Sequence, residues 1–231
     1  VAAAHVAGLN WEQASEEKLY KPLGMSSTSS RYRDFAARSN RAGLHVRIDG
    51  KWASFTRRNA DAQSPAGGAS SSARDLAQWM RLELGYGRHD GRQIIKKEAI
   101  EQTHIPAIVR SVDAKTGIAS FYGLGWNIDY TEHGVEWSHA GAFSAGARTM
   151  ARFNPVEQLG IVVLSSAFPT GVPEALAASF FDFVFTGKPQ RDWVTHWNEI
   201  YAMNFGAPAM KAASSLTRAR SARTSASPRS R

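Results

Sequence analysis

The clearest hydrophobic pattern of the chain lies in its second half. Apolar residues alternate with small or polar ones from Tyr122 to Tyr130, the two-residue period of a strand with one buried face. A polar turn over 131–134 separates this strand from a returning strand at Val135–His139, and further strands are predicted over Ala147–Phe153 and Leu159–Leu164. Successive strands joined by short turns predict an antiparallel meander.

The last of these strands, Leu159–Leu164, has no polar face, so both of its faces are expected to be covered. Residues Pro173–Phe185 are apolar nearly all round and predict a helix that lies flat on the sheet. Pro173 suits the first helical position, and Gly187 suits the residue that ends the helix. The predicted fold class is therefore α+β, an antiparallel β-sheet flanked by helices.

The N-terminal part predicts a helix, a loop and a hairpin. A weakly amphipathic helix covers Trp11–Tyr20 with Asn10 as its cap, and a polar loop follows over 26–40. Asp49-Gly50 stands between two short strand-like segments and predicts a β-hairpin, because both turn positions need positive φ. The strands of this hairpin are predicted at 44–48 and 51–55.

A second capped helix is predicted over Ala73–Leu84. Ser72 and Asp75 have the spacing of a capping box at its start. The apolar stripe of this helix is Ala73, Leu76, Ala77, Met80 and Leu84. A short helix over Lys96–Thr103 and an irregular connection over Ile105–Ser120 complete the part that precedes the meander.

Composition places most of the positive charge in a tail. The chain has 231 residues, 43% of them hydrophobic, and a net charge of +8, of which six charges come from Lys and Arg within 211–231. This tail lacks periodicity and predicts disorder, and it leaves nucleic-acid binding as a weak alternative function. The predicted divisions are a domain over 1–187, an aromatic-containing extension over 188–210 and the basic tail over 211–231.

The sequence predicts no metal, no cofactor and no membrane span. It has no cysteine, and its histidines lack the paired spacing of metal ligands. No apolar run approaches the roughly 20 residues of a membrane helix. Val1 looks like a cut end without a signal peptide, so the compartment is not predicted.

Seven short segments resemble, in order, the C-terminal portion of the serine β-lactamase-like superfamily. This group includes class C β-lactamases, low-molecular-weight penicillin-binding proteins, D-aminopeptidases and esterases. The segments are Trp11–Gln13, Tyr20–Thr28, Pro65–Gly68, Ser72–Ala77, Tyr122–Trp126, His139–Gly141 and Phe153–Pro155. Their order carries the resemblance, which covers about residues 1–187.

The resemblance implies acyl transfer by three motifs: a Ser-x-x-Lys with the nucleophile, a Tyr-x-Asn for proton transfer and a Lys/His-x-Gly on a strand. His139 would be the cationic or hydrogen-bonding member of the third motif, and Gly141 would let the strand edge meet the substrate backbone. The N–H of Ala142 would be one oxyanion donor, and Ala140 would contact substrate. The implied partner is a small-molecule or peptide substrate.

The first two motifs are not where the family has them. No Tyr-x-Asn occurs, and the one Ser-x-x-Lys, Ser15-Glu16-Glu17-Lys18, lies in an acidic helix that opposes lowering of a Lys pKa. We therefore expect a C-terminal fragment of a serine hydrolase acting on β-lactam, D-amino-acid peptide or ester substrates, inactive by itself. The alternative is a non-catalytic binding protein built on the same fold.

Overall fold

The computed structural model describes residues 1–54 and 58–205, which form two compact units. Unit 1 contains residues 1–42, 58–141 and 149–164, and the described part of unit 2 contains 43–54, 142–148 and 165–205. The predicted basic tail, Lys211–Arg231, lies outside the described residues. No helix among the described residues is long and apolar enough to cross a membrane.

The described part of unit 1 contains six α-helices, most of them short. They are α1 Ala2–Val6, α2 Trp11–Ser15, α3 Tyr32–Ala37, α4 Ser64–Gly67, α5 Ala73–Leu84 and α6 Lys97–Thr103. The predicted cap of α2 is confirmed, because Asn10 Oδ1 accepts from Gln13 N at 2.8 Å and Gln13 Oε1 accepts from Asn10 N at 3.1 Å. The chain continues from α2 as a π-helical turn over Glu16–Tyr20. Helical structure therefore covers the whole predicted span, Trp11–Tyr20.

A six-stranded sheet confirms the predicted meander and the α+β class. Its order is β10-β9-β8-β7-β6-β5, so each strand neighbours the next one along the chain. The strands are β5 Ile108–Val112, β6 Ala119–Tyr122, β7 Asn127–Thr131, β8 Gly134–Phe143, β9 Ala147–Asn154 and β10 Leu159–Ser165. A two-stranded ribbon, β3 Arg88–His89 with β4 Arg92–Gln93, follows α5.

The continuous strand predicted over Tyr122–Tyr130 is wrong, because a tight turn interrupts it between β6 and β7. Gly123 N donates to Trp126 O at 2.8 Å, and Gly125 has φ +94°. A side chain at Gly123 would also place its Cβ 2.6 Å from Thr103 O. The two glycines therefore belong to a turn that other residues would not fit, and not to the polar face of a strand.

The sequence missed α3 and β5. Helix α3 begins where Tyr32 N donates to Asp61 Oδ1 at 2.7 Å, a partner 29 positions away that local pattern cannot reveal. Strand β5 is exposed at every position, so it has no buried face to impose alternation. The prediction that both faces of the last strand are covered is also wrong. Strand β10 lies at one end of the sheet order and is half-buried, and Leu164 is 39% exposed.

Two apolar clusters form the core of unit 1, and α5 contributes to both. The larger contains Leu84, Trp126, Ile128, Trp137, Ala151 and Phe153, and the smaller contains Tyr20, Leu23, Met25 and Leu82. The predicted stripe of α5 is partly wrong. Ala73 is exposed, and Leu82, Asp75 and Glu83 are buried. A helix that packs on two sides does not follow a single apolar stripe.

Unit 2 contains a small sheet and two helices. Its strands are β1 His45–Ile48, β2 Lys51–Ser54 and β11 Ala167–Phe168, in the order β11-β1-β2. Asp49 and Gly50 have φ +49° and +78°, which confirms the predicted hairpin. Helix α7 spans Val172–Thr186 and packs against α8, Trp193–Phe205, which is longer than the one or two turns expected.

Candidate active site

Strand β8 extends beyond its pairing with β7. The register between the two strands runs from Thr131 opposite Gly134 to Asn127 opposite Ser138, and β8 then continues to Phe143. We call residues 139–143 the β8 extension. The four residues singled out in the sequence, His139 to Ala142, all lie in it, with His139–Gly141 in unit 1 and Ala142 in unit 2.

His139 is exposed and held by the turn between β6 and β7. Its Nδ1 lies 2.5 Å from the carbonyl oxygen of Gly125. A carbonyl oxygen can only accept, so Nδ1 carries the proton of this bond and Nε2 is the atom left for a ligand. The sequence analysis identified His139 as a site residue but did not identify Gly125 as its partner. A signal was available in Gly123 and Gly125, on either side of Leu124, because glycines mark places where the backbone closely approaches another group.

The three residues that follow His139 in the β8 extension have small side chains or none. Gly141 is half-buried, and a Cβ there would lie 2.9 Å from Thr149 Oγ1 on β9, so the small residue permits close packing of β8 on β9. Ala140 is half-buried and Ala142 is exposed. Their predicted roles toward substrate stay predictions.

The segment of β8 that precedes the extension is anchored in the core. Trp137 is 4% exposed and belongs to the larger apolar cluster. Glu136 is also buried and pairs with Arg152 of β9, with Nε to Oε2 at 2.8 Å and Nη2 to Oε2 at 2.5 Å. A buried charge pair together with an aromatic anchor gives the extension a rigid base.

The literal Ser-x-x-Lys does not form a reactive pair. Ser15 Oγ donates to Trp11 O at 2.9 Å inside its own helix, and Lys18 is exposed. Glu16, between them, bonds Arg31 at 2.8 Å, and this guanidinium holds the pKa of Glu16 below its usual range. The geometry agrees with the sequence argument that Ser15 is not the nucleophile.

A metal site would need a group of side chains that could hold the ion. Within residues 1–54 and 58–205, no group of three or more His, Asp or Glu side chains could hold a metal ion. The β8 extension can therefore offer one imidazole nitrogen and backbone amides.

Three solved structures share this fold at low sequence identity. An octameric penicillin-binding protein homologue from Pyrococcus abyssi matches 81% of this chain and 40% of its own, with TM-score 0.64 and 19% identity. A D-stereospecific amidohydrolase from Streptomyces sp. matches 79% and 50%, with TM-score 0.58 and 19% identity. A class C beta-lactamase matches 82% and 55%, with TM-score 0.58 and 16% identity.

Sequence comparison adds the family. The beta-lactamase family model matches residues 1–180, which is more than half of the chain. No curated protein matches the sequence. The chain spans between 40% and 55% of the lengths of the three solved structures, so the comparison of fold concerns only that share of each.

Proposed function

Because this chain belongs to the beta-lactamase family, we propose that it is the C-terminal part of a serine hydrolase and supplies one wall of its acyl-transfer site. The supporting observation is the β8 extension, in which His139 is fixed by Gly125 with Nε2 left for a ligand. In this proposal, the substrate backbone lies along the extension beyond the last β7–β8 pair.

Four residues of the extension, His139 to Ala142, have roles that their chemistry permits. The N–H and C=O of Ala140 pair with the substrate backbone as an added strand would, because those of Gly141 face the β9 edge, where the Gly141 carbonyl lies 3.5 Å from Thr149 Oγ1. Gly141 has no side chain and lets the substrate backbone approach the strand edge. The N–H of Ala142 donates to the oxyanion that forms when the serine attacks the carbonyl. His139 Nε2 hydrogen-bonds the substrate group next to the scissile bond, as an acceptor when neutral and as a donor when protonated.

The acylating serine is proposed to lie outside this sequence. Ser15 is occupied by Trp11 O, and no Tyr-x-Asn is present. The chain by itself would then bind a substrate without cleaving it, whether the substrate is a β-lactam, a D-amino-acid peptide or an ester.

Covalent labelling tests the proposal that the acylating serine lies outside this sequence. The protein is incubated with a fluorescent penicillin or a fluorophosphonate and then mapped by mass spectrometry. We expect no labelled serine in this chain. A label on Ser15 would show that the nucleophile is present and would overturn the proposal.

Ligand binding tests the extension itself. A D-alanyl-D-alanine peptide is titrated while backbone amide shifts are followed by NMR, and the expected shifts centre on residues 139–142. His139→Ala should weaken these shifts, whereas His133→Ala, in the turn before β8, should not. Shifts elsewhere that ignore His139→Ala would contradict the proposed site.

The bonded state of Ser15 also favours the second candidate, a non-catalytic binding protein. The two candidates differ in the DNA upstream of Val1. A Ser-x-x-Lys and a Tyr-x-Asn encoded there in frame would favour the hydrolase, and an upstream sequence without them would favour the binding protein.

A further inference from the structure

Two buried titratable side chains meet beneath the candidate site, and the proposed function does not use them. Glu83 lies in the last turn of α5 and His104 directly follows α6, and each is only 7% exposed. Glu83 Oε2 and His104 Nε2 are 3.5 Å apart. Both residues belong to unit 1.

The facing atoms of this pair lack hydrogen-bond partners. Among the described residues, Glu83 Oε2 and both ring nitrogens of His104 are buried without one. Buried polar atoms are costly unless paired, and an isolated buried charge is costlier still. One proton between Oε2 and Nε2 satisfies both atoms, either on the carboxyl with a neutral imidazole or on the imidazole with a carboxylate. The pair has no net charge in either arrangement.

The imidazole of His104 contacts β8, the strand that carries the candidate site. Its ring stacks on Trp137 with centroids 3.5 Å apart and the planes parallel, and it lies 5.4 Å from the ring of Trp126. Trp137 precedes His139 by two positions on β8. A charge on His104 therefore acts on the indole that anchors the β8 extension.

Three ion pairs lie on or next to the adjoining elements. These pairs are Arg81 with Asp90 after α5, Lys97 with Glu101 on α6, and Glu136 of β8 with Arg152 of β9. Tyr86 packs edge-on against Trp137. Burial raises the pKa of Glu83 to about 7, opposed by a hydrogen bond from Trp79, and burial lowers the pKa of His104 to about 4.

We propose that Glu83 and His104 form a one-proton pair that positions Trp137, and with it the β8 extension, and that gain or loss of that proton releases the extension. His104 is thus a positioning residue. The pair is neutral with one proton, negative after losing it and positive after gaining a second. This inference concerns the protein without ligand and does not depend on the proposed function.

The wild-type protein provides the first test. The His104 ring, the Trp137 indole N–H and the amides of residues 139–141 are followed by NMR from about pH 3 to about pH 9. We expect two transitions, near the pKa of His104 at about 4 and that of Glu83 at about 7, and both should move Trp137 and the extension. Tryptophan fluorescence should fall in the lower transition, when an imidazolium forms against the indole.

Two variants assign the transitions. Glu83→Gln keeps the size and hydrogen bonding of the side chain but cannot ionise, so the upper transition should disappear and the lower one remain. Glu101→Gln, on the nearby helix α6, should leave both transitions unchanged. A merely structural role of Glu83 would not remove one transition selectively.

Three results would overturn the proposal. The first is a His104 ring that titrates in the wild type with its ordinary pKa. The second is an upper transition that survives in Glu83→Gln. The third is a set of amides at 139–141 that stays unchanged while His104 titrates. The first and third need no variant, so they hold even if Glu83→Gln does not fold.

Discussion

At the scale of single residues, the site depends on a carbonyl oxygen as much as on a histidine. His139 is exposed, and an exposed ring without a partner would sample several rotamers. The carbonyl of Gly125 selects one tautomer and one orientation. The left-handed backbone at Gly125 places that carbonyl, so a residue without catalytic chemistry of its own controls the imidazole.

Gly125→Ala should disturb His139 without touching it. The substitution forces a Cβ into a backbone with φ +94° and should cost about 1–2 kcal/mol of unfolding free energy. The carbonyl should also move, so the Nδ1–H tautomer of His139 should lose population in ¹⁵N NMR spectra. Gly117→Ala, with φ +70° and equal free space, is the control and should cost stability alone. An unchanged His139 tautomer in Gly125→Ala would contradict this.

Asp75 is a second residue whose role could be predicted only in part from the sequence. Only half of the predicted capping box forms, since Ser72 Oγ accepts from Asp75 N at 3.2 Å. The buried carboxylate instead accepts from Ser27 N at 2.7 Å and from Thr28 Oγ1 at 2.8 Å. The residue therefore ties α5 to a loop 47 positions earlier in the chain.

Asp75→Ala should destabilise the protein by about 3 kcal/mol, because it removes two hydrogen bonds to a charged acceptor, from Ser27 N and Thr28 Oγ1. Ser72→Ala, which removes only the helix cap, should cost about 1 kcal/mol. Urea denaturation of both variants measures the difference. Equal losses would show that Asp75 acts only at the helix start.

At the scale of elements, the two helices of unit 2 are held by a close backbone approach. A Cβ on Gly171, at the start of α7, would lie 2.5 Å from the Cβ of Trp197 and 2.7 Å from its backbone carbon on α8. The same helices share Glu174 and Tyr201, whose hydroxyl donates to Glu174 Oε1 at 3.0 Å. Arg148 also pairs with Glu174.

Gly171→Ala should separate α7 from α8. Overpacking of this kind costs about 1–3 kcal/mol, and backbone atoms of Trp197 cannot move aside as a side chain would. Thermal unfolding followed by circular dichroism measures the loss. Gly43→Ala is the matched control in unit 2, because its new Cβ would find only ordinary contacts, at 3.6 Å or more. Equal stability of the two variants would disprove the steric argument.

Elements with a local cause were predictable from the sequence. The β1–β2 hairpin follows from Asp49-Gly50, and α7 follows from Pro173 and Gly187, because turn and cap conformations depend on adjacent residues. Strand β5 and the start of α3 were not predictable. The first has no buried face and the second begins at a distant carboxylate.

The candidate site was also predictable only in part from the sequence. The sequence predicted a strand that ends at His139, and the resemblance placed the His139–Gly141 motif on a strand. In the structure β8 continues through Ala142 to Phe143. The sequence did not predict Gly125 as the partner of His139, or Glu83 opposite His104. Both contacts join elements that only the fold brings together, and single residues carry no pattern that identifies such partners.

At the scale of the whole molecule, the stability of unit 1 should depend on pH through its core. The folded state raises the pKa of Glu83 from 4.5 to about 7 and lowers that of His104 from 6.5 to about 4. A raised pKa lowers stability as the pH rises through it, and a lowered pKa lowers stability as the pH falls through it. Stability should therefore be greatest between pH 4.5 and 6.5, the pKa values of Glu83 and His104 in the unfolded state.

The alkaline side of this profile isolates Glu83. Exposed Asp90, Asp113 and Asp192 have lowered pKa values and share the acid side with His104. Tyr201 has a raised pKa and acts only at a much higher pH. His104 stops contributing above its unfolded pKa of 6.5, so a loss of stability between pH 6.5 and about 7 is assigned to Glu83.

Urea denaturation at a series of pH values measures these opposing contributions. The wild type should change little between pH 4.5 and 6.5, because the loss at Glu83 and the gain at His104 offset each other. In Glu83→Gln only the contribution of His104 remains, so stability should rise by up to about 3 kcal/mol between about pH 4 and 6.5. Glu98→Gln, an exposed substitution on α6, should retain the wild-type profile. A Glu83→Gln profile that stays level between pH 4.5 and 6.5 would mean that Glu83 does not offset His104 in the wild type.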